Sequence, residues 1–422
     1  MKQIIQSLKG TRDFYPEEKA ELSWLYARIG EVSRDFGYQE WEGPFLEKIE
    51  LYAAKSGEEL VKEQSFAFPD RGGDLITLRP ELTPTLARMV AQKQGGLSFP
   101  LRWWSFGPFW RYERPQKGRT REFFQWNIDL IGTTNPESDG ELIAIAAAFF
   151  QNIGLRSDQV KIFVSNRRLI DSELAEMDVD IDMRTKVIRL IDRKDKLSLK
   201  EWDRYASELG LSTSQIARLK QMLDDQDLWR KSDELIRVFA VLEAVGLQDY
   251  VKFDPQIIRG LDYYTGTVFE ARDMDGGRAI LGGGRYDNLV NDVGGDPLPG
   301  VGFAMGDVMI TIVLKKYGLI PDLGITPSRV LVTIFDETST VEAYRLAADL
   351  RKAGIRTAVY PEPAKLVKQM KFADRMGMKL ALIVGPEEVE AGQVTVKDLT
   401  ARSQTTMNRA DLVDFLSRWG DG

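Results

Sequence analysis

Residues 109–132 read Phe-Trp-Arg-Tyr-Glu-Arg-Pro-Gln-Lys-Gly-Arg-Thr-Arg-Glu-Phe-Phe-Gln-Trp-Asn-Ile-Asp-Leu-Ile-Gly. Two alternating runs flank a loop that holds Arg114, Lys117, Gly118, Arg119 and Arg121, the pattern of a β-hairpin with a cationic tip. Period two puts Arg111 and Glu113 on one face of the strand before the loop, and Gln125 and Asp129 on one face of the strand after it. Phe123-Phe124 offers a ring on which a nucleobase can stack. An arginine among acceptors, under a flexible basic loop, suits a phosphate-bearing substrate held beside a smaller polar one. Adenylate formation makes that demand.

Absences narrow the chemistry. The chain of 422 residues has no cysteine and no histidine. Disulfides, thiol nucleophiles, Cys/His zinc sites and Ser-His-Asp triads are excluded. Carboxylates, arginine, lysine, tyrosine, backbone amides and bound Mg²⁺ are left to do the work. The first ten residues lack the long apolar core of a signal peptide, and no run approaches the roughly 18 apolar residues of a membrane span. With no cysteine, the expectation is a cytoplasmic protein without a membrane partner. The net charge of −7 argues mildly against nonspecific nucleic-acid binding but leaves a local basic patch open.

Outward from the hairpin, an amphipathic stretch at about 17–36 predicts a helix, and Gln39–Glu47 reads as extended, with Pro44 confining it to an edge or interface. Leu75–Arg79 predicts a strand, Glu81–Val90 a helix, and 138–153 a largely buried helix. From about 166 to 250 the texture becomes short charged helices, an apparent insertion. Strand character returns over Gln256–Ala271 and through Gly282-Gly-Gly-Arg-Tyr-Asp287, and Gly300–Gly306 leads into a helix near 307–317. After a linker at 324–328, strands at 329–335, 355–360, 379–384 and 393–399 alternate with helices at 340–353, 363–376 and 409–419, a small α/β domain. The expected organisation is therefore 1–324, interrupted by the insertion, followed by 329–422.

Other segments carry two readings each. Glu81, in Arg79-Pro-Glu-Leu-Thr83, either holds the ammonium group of an amino acid or is an acid in the field of a helix N-terminus. Arg259-Gly-Leu-Asp-Tyr-Tyr264 is either a substrate-facing arginine with two tyrosines or an ion pair with packing aromatics. The glycines at 282–284 have neither the Walker nor the Rossmann spacing and better suit close approach of neighbouring strands. Lys365, Lys368, Lys371 and Arg375 form a stripe that is either a solvated face or a phosphate-backbone track.

Taken together, Lys9–Pro16, Leu78–Thr83, Arg111–Gln125, Arg259–Tyr264 and Gly282–Asp287 resemble the histidyl-tRNA synthetases, class II aminoacyl-tRNA synthetases, over essentially the whole chain. Gln369–Arg375 and Val394–Leu399 extend the likeness to the C-terminal domain. The resemblance implies an α+β fold: a class II antiparallel-sheet catalytic domain with a helical insertion, then an α/β anticodon-binding domain. It also implies a homodimer built partly around Pro44, with ATP, Mg²⁺, L-histidine and tRNA-His as partners. By the same resemblance Arg111 and Arg259 are catalytic at the α-phosphate, while Glu113, Phe123 and Arg119 bind the adenine and the outer phosphates. Glu81, Thr83, Gln125, Asp129, Arg259, Tyr263, Tyr264 and Tyr286 would hold histidine, and Gln116, Arg121, Lys368 and Lys371 would meet tRNA. Two departures stand out: Met309 replaces an arginine usual after Gly-Phe-Ala-Met-Gly, and Asp129 replaces a usual glutamate. The competing reading is a non-catalytic regulatory subunit of ATP phosphoribosyltransferase, which eroded motif 3 favours and the C-terminal domain opposes.

Overall fold

The computed structural model describes residues 4–53, 64–116, 118–194, 197–258, 264–276, 278–288, 290–326 and 328–419. They fall into two compact units, Met1–Leu323 and Gly324–Gly422. In the first unit the strands are, in chain order, β1 (Gln39–Glu40), β2 (Leu46–Lys48), β3 (Phe66–Pro69), β4 (Leu75–Leu78), β5 (Leu101–Trp110), β6 (Glu122–Ile131), β7 (Val160–Asn166), β8 (Val251–Phe253), β9 (Thr267–Asp273), β10 (Ala279–Tyr286) and β11 (Gly300–Gly306). Eight of them make one sheet in the order β1-β5-β6-β11-β10-β9-β7-β8. Its inner pairings are antiparallel, and only the two edge pairs, β1 with β5 and β7 with β8, run parallel.

Alternation on β6 sets the layers. Trp126, Ile128 and Leu130 face the main core, where Trp126 meets the Phe303 ring edge-on at 4.8 Å and Phe149 at 5.2 Å. Phe149 lies on the helix Pro136–Asn152, which starts with Pro136 and carries Glu137 and Asp139 in its first turn, as a helix N-terminus favours. This helix is buried nearly all round because the helix Asp233–Ala244 covers the side turned from the sheet. Between β7 and β8 the regular elements among the described residues are all helices, as expected of 166–250.

The second unit adds β12 (Val330–Val332), β13 (Thr357–Val359), β14 (Leu380–Ile383), β15 (Gln393–Asp398) and β16 (Ser403–Asn408), ordered β13-β12-β14-β15-β16. β12 pairs in parallel with β13 and β14, and the other pairs are antiparallel.

Several expectations shift. The extended run 39–47 is broken between β1 and β2, around Gly43-Pro44. Residues 256–258 are not strand: Asp254 opens a turn with the Ile257 amide donating to its carbonyl, and β9 begins at Thr267. Arg111 and Glu113 lie past the end of β5, in the loop and not on the strand. There the Glu113 amide turns back onto the Arg111 carbonyl at 2.7 Å and Tyr112 donates to Gln64, which ends the ladder. β7, the edge strand β16 and the short helix Pro386–Ala391 were not anticipated.

The glycine cluster does what close strand approach requires. A Cβ on Gly283 would sit 2.3 Å from the Gly302 carbonyl oxygen, and one on Gly284 would sit 2.8 Å from that of Thr267. Gly283→Ala should therefore cost about 2–3 kcal/mol by overpacking, whereas Gly95→Ala, which points into open space, should change stability by less than about 0.5 kcal/mol. Urea unfolding followed by tryptophan fluorescence checks this; equal midpoints for the two variants would contradict it.

Candidate active site

The hairpin β5–β6 pairs over its whole length, from Leu101 with Ile131 to Trp110 with Glu122. Just beyond β5 a cavity of about 290 Å³ opens between the loop, β6, β10, β11 and the start of the helix Asp307–Tyr317. Arg111, Glu113, Arg119, Phe123 and Gln125 all line it, so five residues singled out from the sequence converge on one space. Thr120, Gly282, Gly306, Val308 and Met309 complete much of its wall.

Arg111 is aimed by two contacts. Its Nε donates to the Pro80 carbonyl at 2.9 Å, and its guanidinium lies 5.4 Å from the Phe123 ring centre. Pro80 is itself fixed by Arg79, which is fully buried and lies 4.6 Å from both the Phe45 and Phe109 rings. Arg79 donates to the Pro108 and Gly43 carbonyls and pairs with Glu42. Arg79 was not marked as functional in the sequence; its part is to hold the segment that orients Arg111. Arg119 is exposed and rests on Glu113 at 3.4 Å. A second cavity of about 250 Å³ shares Glu113 and Arg119 and adds Gln64, Tyr112, Arg114 and Gln116.

Further along the same face of β6 lie Asn127 and Asp129. The Asn127 amide donates to Gln125 Oε1 at 3.3 Å, and the Tyr286 hydroxyl donates to Asp129 Oδ1 at 2.8 Å. Gly302 and Gly300 make room for this pair, since a Cβ on either would run into Asp129 or Tyr286. Burial pushes the Asp129 carboxyl up to about 7, and the Tyr286 hydrogen bond only partly offsets that. Asn127 went unremarked in the sequence, although its position two residues from both Gln125 and Asp129 was the available signal.

The remaining expected residues are more dispersed. Thr83 opens the helix Thr83–Lys93, with Glu81 just before it on the segment that Arg111 grips through Pro80. Tyr264 is buried beside Ile257 and Val268, and its carbonyl accepts from Arg167 at 3.0 Å. Arg121 stacks 4.0 Å from the Tyr112 ring centre and donates to the Glu113 and Lys9 carbonyls, so its guanidinium is committed to shaping the loop. Gln116 is exposed at the loop tip. In the second unit Lys368 and Lys371 are exposed, and Lys368 reaches Glu362 at 2.8 Å. Arg259, Tyr263 and Lys117 lie outside the described residues.

A family model described as histidyl-tRNA synthetase matches residues 10–308, and one described as anticodon binding domain matches 329–419. The chain belongs to the histidyl-tRNA synthetase family. A curated histidine–tRNA ligase of Halobacterium salinarum is 38% identical over 413 residues, covering 94% of this chain and 95% of the relative. The crystal structure of histidyl-tRNA synthetase from Nostoc sp. PCC 7120 superposes with a TM-score of 0.81 at 24% identity, covering 99% of this chain and all of that one. A structure described as ATP phosphoribosyltransferase regulatory subunit/histidyl-tRNA synthetase, from Bacillus halodurans C, covers 88% of this chain and 97% of its own at a TM-score of 0.74 and 24% identity. The fold alone therefore does not separate a synthetase from a regulatory relative. The near-complete match to curated ligases, with the anticodon-binding domain present, favours the synthetase side of the family.

Asp129 gives a signed pH dependence. Its folded value of about 7 lies above the ordinary 3.8, so between those values the folded chain keeps a proton that the unfolded chain has lost. Stability thus falls as pH rises toward 7, and the deficit persists above it. Asp129→Asn keeps the shape without the charge. It should gain about 2–4 kcal/mol over the parent at pH 8 and much less at pH 5. Urea midpoints at the two pH values decide; an equal gain at both would contradict the assignment.

Proposed function

We propose that this chain is a histidine–tRNA ligase: it joins histidine to the α-phosphate of ATP, releases pyrophosphate, and passes the histidyl group to the terminal adenosine of tRNA-His. In the first step a carboxylate oxygen of histidine forms the new P–O bond while the bond to pyrophosphate breaks. That carboxylate is already ionised at neutral pH, so no protein base is needed, in keeping with a chain that has no histidine of its own. In the second step a ribose hydroxyl attacks the carbonyl carbon and AMP leaves.

The observation that carries this reading is the convergence of Arg111, Glu113, Arg119, Phe123 and Gln125 on one cavity. Arg111 would meet the charge that grows at the α-phosphorus, where a pre-aimed cation gains most. Phe123 would stack on adenine and Glu113 would accept from its amino group. Arg119 would leave Glu113 for the outer phosphates, which Met309 cannot hold. Arg259 would act on the α-phosphate from the facing side. Glu81, Thr83 and Gln125 would take the histidine ammonium group, and Asp129, Tyr263, Tyr264 and Tyr286 its imidazole end. Mg²⁺ would neutralise charge on the phosphates of ATP, the setting in which this cation is usually held with one or two carboxylates.

For tRNA, Gln116 in the outer cavity would read the acceptor end while Arg121 shapes the loop around it. Lys368 and Lys371 would track the backbone at the anticodon end. Phe45, Leu46, Phe68 and Leu75, more than two-fifths exposed on or beside the small sheet β2-β4-β3, are the apolar surface on which a homodimer would form. No helix among the described residues is long and apolar enough to cross a membrane.

Histidine-dependent ATP–pyrophosphate exchange tests the proposal. The parent protein should exchange with histidine and not with other amino acids. Arg111→Ala should lower the rate by roughly 10²–10³-fold while weakening histidine binding far less. Histidine binding without any exchange would instead favour the regulatory reading.

A further inference from the structure

Residues 8–14 run across both walls of the nucleotide cavity without lining it. On one side the Gly10 carbonyl accepts from the Arg121 and Glu122 amides at 2.8 and 3.2 Å, where the basic loop joins β6. Lys9 presents its carbonyl to Arg121 Nη1 at 3.3 Å. A side chain at Gly10 is ruled out twice, by a φ of +90° and by the Arg121 side chain 2.8 Å from where its Cβ would be. On the other side Arg12 Nη1 reaches Asp307 Oδ2 at 2.9 Å. The other oxygen of Asp307 accepts from the Phe124 amide at 2.8 Å.

Asp307 therefore joins the start of its helix to β6, and the neighbours of both partners line the cavity: Val308 and Met309 next to Asp307, Phe123 and Gln125 next to Phe124. The Asp307 side chain is only 3% exposed and that of Arg12 22%, so a buried carboxylate meets a partly buried arginine. Phe14 completes the contact, 4.9 Å below the guanidinium and edge-on to Phe124 at 5.9 Å. Burial pushes the Asp307 carboxyl up, and the Arg12 guanidinium pulls it back down.

We propose that residues 8–14 are a strap and that Arg12 is a positioning residue for the nucleotide, setting the gap between the basic loop and the Asp307–Tyr317 helix. Arg12 is not among the residues that line the cavity. It acts by holding Asp307, and through Asp307 the opposite walls, while the backbone at 9–10 holds the loop base. The loop also needs this seating from above, because Gly118 lies against Met309, with the sulfur 2.5 Å from where a Cβ would be. A loosened strap therefore frees the loop that carries Arg119. The imidazole end of histidine, on Asp129 and Tyr286, lies further along β6 from Phe124, and neither residue lines this cavity.

This inference rests on the nucleotide reading of the cavity, so its test has one readout that does not. In the full-length protein, Arg12→Ala should raise KM for ATP in pyrophosphate exchange at least fivefold, with KM for histidine moving less than twofold. Tryptic cleavage within 114–121 should accelerate at least threefold. Arg12→Lys, which keeps the charge beside Asp307, should recover most of both. Arg12→Ala combined with Asp307→Asn removes the stranded buried charge while leaving an acceptor for Phe124. It should return the melting temperature to the parent value without restoring KM for ATP or loop protection. The idea is overturned if Arg12→Ala leaves cleavage and KM for ATP unchanged, or if both return with the melting temperature in the double variant. Should the parent show no exchange at all, the function proposal fails, and the cleavage rates alone still decide the strap.

Discussion

The alternation of one strand constrains everything else in the first unit. β6 presents Trp126, Ile128 and Leu130 to the core and Phe123, Gln125, Asn127 and Asp129 to the opposite face. A slip of one residue against β5 or β11 would exchange the two sets, burying an amide and a carboxylate in hydrocarbon and exposing tryptophan. Register is thus enforced by the core, and the spacing of polar groups on the working face follows from it. The site borrows its precision from the hydrophobic effect.

Buried arginines then fix what the sheet cannot. Arg79 binds the segment that aims Arg111, and Arg285 ties the end of β10 to the Pro136–Asn152 helix. Only 3% exposed, Arg285 donates to Asp139 and to the Thr133 and Asn135 carbonyls. Desolvating a guanidinium is costly, and these two repay it with several donors satisfied at once. Arg12 is a leaner case, with Nε and Nη2 buried without a hydrogen-bond partner among the described residues and its hold resting on Asp307. Loops around a ligand cavity cannot be held by packing alone without closing the cavity. Planar cations that reach several carbonyls are a physical solution to that problem.

Much of this was legible in the chain because the signals are local. Alternation announced the hairpin, consecutive glycines announced close strand approach, and alternating strand and helix patterns announced the second unit. Arg111 and Glu113 were grouped because they seemed to share a strand face, but they line one cavity because the chain turns at Tyr112 beyond the end of β5. β16, Ser-Gln-Thr-Thr-Met-Asn, was illegible because it is an exposed edge with little apolar contrast. The roles of Arg79, Arg12 and Asp307 had no sequence signature, since each depends on partners brought together only by the fold. Met309 was visible as a departure, but its packing against Gly118 was not.

On the proposed function, Arg111 beyond β5 meets a nucleotide phosphorus in the cavity that Phe123 and Gln125 of β6 line, and the amino acid lies further along β6 toward Asp129. A crystal structure with a non-hydrolysable histidyl-adenylate analogue tests it most directly. The account requires the phosphate mimic within hydrogen-bond distance of Arg111, adenine against Phe123, and the imidazole directed at the Asp129–Tyr286 pair. An analogue bound in another cavity, or bound here with its imidazole on the Arg119 side, would contradict it.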